Sequence, residues 1–334
     1  MTNKIMQVAG QEVAPGKAVR CSYPLAELPD GSAVTIPMLL INGAKPGPRL
    51  YLGAAIHGDE ANGVEILWQA LRQVTPASLS GSIVCVPVQG PLAFQSDHRI
   101  ALASYLKSPL DQSPADPWVI FPGDANGNLP QQLAHHLFEL IRDCDFAIDI
   151  HTPTRGGRYP PIAILPAASI GEPAARALEL AKGFGAPFII QPRSGFYIAD
   201  GVLCVEATKR GVPAFTFELG EGGRLEAEMI KEGVRCVTNA LRHLKMIDGP
   251  VDLPPRTYLM SDFIGLRATR GGLLHTAVTL GATVKRDDLL AQVFDVYGDE
   301  VERFTAPQDG IFIRATTLAT VSTGERVATL GVLA

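Results

Sequence analysis

Several things are scarce in this 334-residue chain. Charged residues make up 19% of it and carry no positive excess, the net charge being −5. That balance argues against a nucleic-acid binder, which needs surplus Lys and Arg to neutralise phosphates. No run of about 18 apolar residues occurs, so there is no sign of a membrane-spanning helix. The N-terminal MTNKIMQVAGQEVAPGK has no apolar stretch of signal-peptide length. The five cysteines (Cys21, Cys85, Cys144, Cys204, Cys236) are scattered, odd in number and form no C-x-x-C pair. They read as reduced thiols, which excludes a disulfide framework and a zinc–thiolate site and points to the cytoplasm. What the chain does have is apolar residues, 46% of the total. That is enough to fill real cores and excludes a disordered protein. The length suggests about two domains.

Glycine and proline punctuate the sequence throughout. AVTIPMLLI (33–41) reads as a strand, and RLYLGAAI (49–56), apolar on both faces, as a central strand of a covered sheet. A helical pattern follows with Val64, Leu67, Trp68 and Leu71. Residues 82–88 read as the next strand. The pattern recurs: a helix over 129–142, the strand FAIDI (146–150), a strand over 162–165, a helix over 173–184, a strand over 214–219 and a long amphipathic helix over 225–244. This is an α/β chain, expected as a mixed open sheet covered by helices. Asp248-Gly249-Pro250 and Pro254-Pro255 then mark a boundary. Beyond it only short, Gly-broken strands are evident, so the expected division is 1–249 catalytic and 250–334 small all-β.

Three strands end in groups that bind metals or carry protons. His57 and Glu60 follow the first, His151 follows the second, and Glu218 lies near the end of the third. Sites in open α/β sheets form at the carboxyl ends of strands. A close His-x-x-Glu pair with one distant His suits a catalytic zinc, whose open position takes water. A free carboxylate must then accept the proton, for which Glu218 is the natural candidate and Glu221 the competitor. Alone, His-x-x-Glu is more often a polar turn, His151 a structural histidine and Glu218 a buried carboxylate in an ion pair; their joint place at strand ends favours the metal. His135 and His136 fall within a helix, and His98, His243 and His275 have no partner pattern.

The segments GAAIHGDEANG, DIHTPTRGG and FTFELGEGG, in this order, resemble the succinylglutamate desuccinylase/aspartoacylase family, relatives of the zinc carboxypeptidases. The resemblance runs from about Pro37 to Ile247. It implies a zinc carboxypeptidase-like hydrolase that cleaves an amide to release a carboxylate and an amine, with one zinc on His57, Glu60 and His151. It puts Glu218 at the general-base position and Arg99 where a cation polarises the scissile carbonyl. Asp116 would orient His57, and Asp149 is a second such orienting carboxylate. The segment beginning VTLGATVKRDDLL resembles a biotinyl/lipoyl-like barrel sandwich, without the lysine hairpin that carries a cofactor. The expected function is a deacylase of a small N-acylated amino acid or amine. Its rivals are a peptidase for short peptides and a non-catalytic zinc-binding relative. Neither a nucleic acid nor a membrane is an expected partner, and a homo-oligomer is compatible with the sequence.

One departure bears on substrate choice. Where relatives often carry an Asn-Arg pair that clamps a substrate carboxylate, this chain has Trp118-Val119. Arg155 or Arg158, close after His151, would have to supply a replacement cation. A carboxylate set against Trp118 and Val119 would lose its water and gain no ionic partner. The enzyme is therefore expected to disfavour N-acetyl-aspartate and succinyl-glutamate relative to less anionic or cationic N-acyl amino acids. Parallel kcat/KM measurements check this, and a higher value for either polyanion would refute it.

Overall fold

The computed structural model describes residues 3–101 and 116–334. The chain opens with a hairpin of β1 (Met6–Val8) and β2 (Gln11–Val13), then β3 (Lys17–Glu27), β4 (Ala33–Asn42) and β5 (Lys45–Ala54). Helix α1 (Asn62–Leu71) leads to β6 (Ser80–Val86), a short α2 (Pro91–Gln95) and α3 (Leu129–Ile141). Next come β7 (Phe146–His151), β8 (Gly157–Ile164), α4 (Glu172–Phe184), β9 (Phe188–Ile190), α5 (Leu203–Lys209), β10 (Ala214–Gly220) and α6 (Ala227–His243). From there to the end the described residues hold strands and turns. These are β11 (Tyr258–Arg267), β12 (Gly272–Thr276), β13 (Thr283–Val284), β14 (Leu289–Phe294), β15 (Glu300–Thr305), β16 (Gly310–Thr316), β17 (Thr320–Val321) and β18 (Arg326–Leu333). No helix among the described residues is long and apolar enough to cross a membrane.

The large sheet is mixed, in the order β13-β16-β18-β11-β9-β8-β10-β7-β5-β6-β4-β3. Strands β6, β5, β7 and β10 run parallel, and β8 returns antiparallel to β10. The central strands are apolar on both faces because both are covered. On β5, Leu50, Leu52 and Ala54 enter one core with α1, α4 and α6. Tyr51 enters the opposite core with α3 and α5. This is the alternation that a period of two requires.

Three differences from the sequence reading matter for the site. Strand β8 begins at Gly157, five residues before the expected start, and runs through Pro160 and Pro161. Proline offers no N–H to a ladder, and the register between β8 and β10 shifts at that point. Strand β3, the short β9 and helix α5, none of them expected, complete the sheet and its cover. The β-rich C-terminal part is also continuous with the rest. Strand β11 pairs with β9, and β16 pairs with β8 through Ala315 opposite Arg158 and Thr316 opposite Gly157. A second sheet, β15-β14-β12-β17, packs over these C-terminal strands around Leu290, Val293, Phe312 and Leu330.

The loop after β5 is held closely. Ala55 adopts a left-handed φ of 48°, and its carbonyl accepts the Gly90 N–H at 2.9 Å. Gly58 lies so near the backbone of Ala93 that a Cβ would overlap its carbonyl. Main chain cannot swing aside as a side-chain tip can, so Gly58→Ala should cost at least about 1–3 kcal/mol. Urea unfolding of metal-stripped protein measures this, and an unchanged midpoint would refute so tight an approach.

Candidate functional site

The parallel register brings the proposed groups together. His151, the last residue of β7, is opposite Glu218 of β10, and the neighbouring Ile150 is opposite Ala54 at the end of β5. His57 and Glu60 follow three and six residues later. The ligand atoms of His57, Glu60 and His151 all lie within 4.8 Å of one another, and the three side chains are buried. Glu60 stands between the rings, Oε1 at 2.7 Å from His57 Nδ1 and Oε2 at 2.9 Å from His151 Nδ1. Glu60 Oε2 also accepts the Thr152 N–H at 3.2 Å.

Each imidazole is held from behind by another carboxylate. His57 Nε2 is 3.0 Å from Asp116 Oδ1, and His151 Nε2 is 2.7 Å from Asp149 Oδ2. This arrangement directs both Nδ1 atoms at one point, as metal-bound histidines require. Asp116 also accepts the Trp118 N–H at 3.0 Å and two bonds from Arg99, at 2.8 and 3.1 Å. Arg99 Nη1 reaches to 3.7 Å from Glu60. Asp149 Oδ1 accepts from Gln89 Nε2 at 2.6 Å, and Gln89 in turn accepts the Tyr51 hydroxyl at 3.1 Å.

These groups open into a cavity of about 420 Å³. Glu218 lines it, with Oε1 accepting the Tyr197 hydroxyl at 2.8 Å and Oε2 buried without a partner. Burial raises the Glu218 carboxyl to about 6, close to working pH. Burial pushes Glu60 in the same direction, but the two facing imidazoles outweigh it and hold Glu60 at about 2. Trp118 packs 5.2 Å from the His151 ring and 5.1 Å from Phe196, forming an aromatic wall with Tyr197. Four carboxylates around two imidazoles, with an unpartnered Oε2 aimed into the same space, fit a divalent cation. Two nitrogens and one carboxylate form the donor set of a catalytic zinc site.

Glu221 is buried elsewhere, where its Oε1 accepts from the Gly156 N–H at 3.1 Å and the Thr317 hydroxyl at 2.8 Å. Arg155 and Arg158, expected as substrate cations, do not line the cavity. Arg155 pairs with Asp97 on the surface. Arg158 stands next to the cavity-lining Tyr159 on β8, so its side chain leaves by the opposite face, where Glu226 takes it at 2.8 Å. The cations that do line the cavity are Arg99, Arg314 and Arg326, with Asp262, Phe263 and Thr329 from the same C-terminal strands. Arg99 was expected from the sequence; Arg314, Arg326, Asp262, Phe263, Thr329, Gln89, Tyr159 and Tyr197 were not. One signal was available: Arg314 is a lone charge within the apolar run GIFIRAT. His136 bonds Tyr23 at 3.1 Å, and His275 packs on Phe294 at 5.1 Å, both away from the site.

Residues 46–244 match the succinylglutamate desuccinylase/aspartoacylase catalytic domain. A curated relative, N-alpha-acetyl-L-2,4-diaminobutyric acid deacetylase of Halomonas elongata, is 28% identical over 306 residues, spanning 89% of this chain and 86% of the relative. The product-bound ectoine utilization protein EutE of Ruegeria pomeroyi superposes with a TM-score of 0.80 at 23% identity, covering 94% of this chain and 95% of that one. A succinylglutamate desuccinylase/aspartoacylase structure from Rhodobacter sphaeroides gives 0.81 at 25% identity, covering 95% and 96%. With the family match spanning more than half its length, the chain belongs to the succinylglutamate desuccinylase/aspartoacylase family.

Proposed function

We propose that this protein is a zinc-dependent deacylase that hydrolyses the amide of a small N-acylated amino acid. The observation that carries the reading is the partnerless Glu218 Oε2, buried in the same cavity as the His57–Glu60–His151 cluster. A zinc ion on those three residues would supply a Lewis acid that activates water and polarises a carbonyl. Glu218 takes the water proton on Oε2 and returns it to the leaving nitrogen, while Tyr197 holds Oε1 in place. Arg99, fixed by Asp116, faces the oxygen that gains charge as the carbonyl is attacked. Asp116 and Asp149 keep the two imidazoles in the tautomer that presents Nδ1. Trp118 and Phe196 exclude water from the acyl end.

Support for the substrate class comes from the wall and from a relative. The aromatic face of Trp118 offers no ionic partner, and Asp262 offers a carboxylate to a side-chain ammonium. The Halomonas elongata relative is named for an acetylated diamino acid, which has such an ammonium. In the same reading residues 1–249 are the zinc carboxypeptidase-like domain and 250–334 a barrel-sandwich-like module that closes the cavity. The free thiols of the five cysteines support a cytoplasmic setting.

Two variants test the roles. His151→Ala should strip the metal and leave the secondary structure intact, because the ligands sit at strand ends above a sheet that packs without them. Metal analysis with circular dichroism checks this, and a full equivalent of bound zinc would refute the ligand set. Glu218→Gln keeps the side-chain shape and removes the proton acceptor. It should lower kcat by about 10²–10⁴ with metal content unchanged. Activity lost in Glu221→Gln but kept in Glu218→Gln would assign the base to the other carboxylate.

A further inference from the structure

The C-terminal strands bring into the cavity a guanidinium that no carboxylate among the described residues pairs with in a salt bridge. Gly265 of β11, Thr329 of β18 and Arg314 of β16 form one row across three strands, Thr329 being paired with both of the others. Cross-strand neighbours present their side chains to the same face, and all three residues line the cavity. Arg314 Nη1 and Thr329 Oγ1 are buried without a hydrogen-bond partner, and Thr329 is only 2% exposed. No carboxylate lies within ion-pair distance of Arg314 or Arg326 among the described residues. Burial and the neighbouring Arg326 hold the Arg314 guanidinium below its usual pKa, against the opposing pull of Tyr159, Tyr197 and Glu218.

Burying an unpaired cation and a free hydroxyl side by side is costly unless a ligand completes them. The fold nevertheless makes room for this pair. The Arg314 guanidinium fills the place that a Cβ at Gly157 would take. Gly157 and Tyr159 lie on the same face of β8, and Tyr159 lines the cavity together with Tyr197, whose hydroxyl bonds Glu218. This wall thus adjoins the two phenols, one of which holds the carboxylate placed beside the scissile amide. A substrate spanning the cavity would have its acyl group at the metal and its other polar end at Arg314. The geometry points to a carboxylate subsite formed by Arg314 and Thr329, with Arg326 at its rim, that binds the carboxylate of the N-acyl amino acid. This rests on the deacylase reading for what lies at the other end of the cavity. It also locates the substrate cation that neither Arg155 nor Arg158 supplies.

The test compares N-acetyl-L-2,4-diaminobutyrate, acetylated on the α-nitrogen, with N-acetyl-1,3-diaminopropane, which is the same molecule without the carboxylate. The wild-type zinc enzyme should prefer the acid. In Arg314→Met that preference, taken as the ratio of kcat/KM values, should fall by about 10- to 100-fold, the range expected for a hydrogen bond to a charged group. The loss should appear in KM for the acid. Thr329→Val should lower the same ratio by a smaller factor, and serves if Arg314→Met fails to fold. Calorimetric titration with the free product L-2,4-diaminobutyrate provides a readout independent of turnover, and its affinity should drop in step. Equal losses for both amides, or an unchanged ratio, would overturn the subsite. If neither amide is hydrolysed by the wild type, the deacylase reading fails. Calorimetry then decides the subsite: weaker product binding to Arg314→Met upholds it, and equal or absent binding overturns it.

Discussion

The centre of this structure is one buried carboxylate shared by two imidazoles. Glu60 cannot satisfy both His57 and His151 unless two chain segments, distant in sequence, end at the same level. That level is set by the parallel register of β5, β7 and β10 and by the close approach of Gly58 to Ala93. Around this point the fold places further acidic groups, Asp116 and Asp149 behind the rings and Glu218 in front. So many carboxylates in a low-dielectric space repel one another, and removing them from water is expensive. A divalent cation at their focus would relieve that repulsion.

The legible part of this design was the part written in strand ends. FAIDI followed by His151, and TFELG containing Glu218, are apolar runs that stop at a functional group. Strands covered on both faces have to read that way. The illegible parts depended on pairings that span most of the chain. Pro160-Pro161 disguised the start of β8, because prolines ordinarily end a ladder. With the start misplaced, the alternation that sends Arg158 away from the cavity could not be seen. The short β9 and α5 are held by tertiary packing, not by a strong local pattern. Arg314 stood out as a charge within an apolar strand, but its direction depended on β16 meeting β8, which is more than 150 residues earlier.

The site therefore divides by origin. The His57–Glu60–His151 cluster and Glu218 come from the parallel strands of the family domain and the loop after β5. The far wall comes from the C-terminal strands, outside the matched residues 46–244. Trp118 sits between the two, close to the histidines on one side and to Phe196 and Tyr197 on the other. A change of amine specificity can thus arise on β16 or β18 without disturbing the geometry that Glu60 imposes. Substitutions at separated sites with no shared partners tend to act independently.

The continuity of the sheet across β8 bears on motion. Strand β8 is hydrogen-bonded to β10, whose Glu218 lines the cavity with the His57–Glu60–His151 cluster, and to β16, which carries Arg314. Hinging these two walls apart would break a ladder of backbone hydrogen bonds. Access across this frame falls to side-chain rotamers at the rim, such as the exposed Phe196 and Arg326, which move in picoseconds to nanoseconds. Many hydrolases that close domains over substrate are slowed by reopening. A cavity of fixed span instead admits or refuses a molecule by its length, and here the sheet itself acts as the gauge.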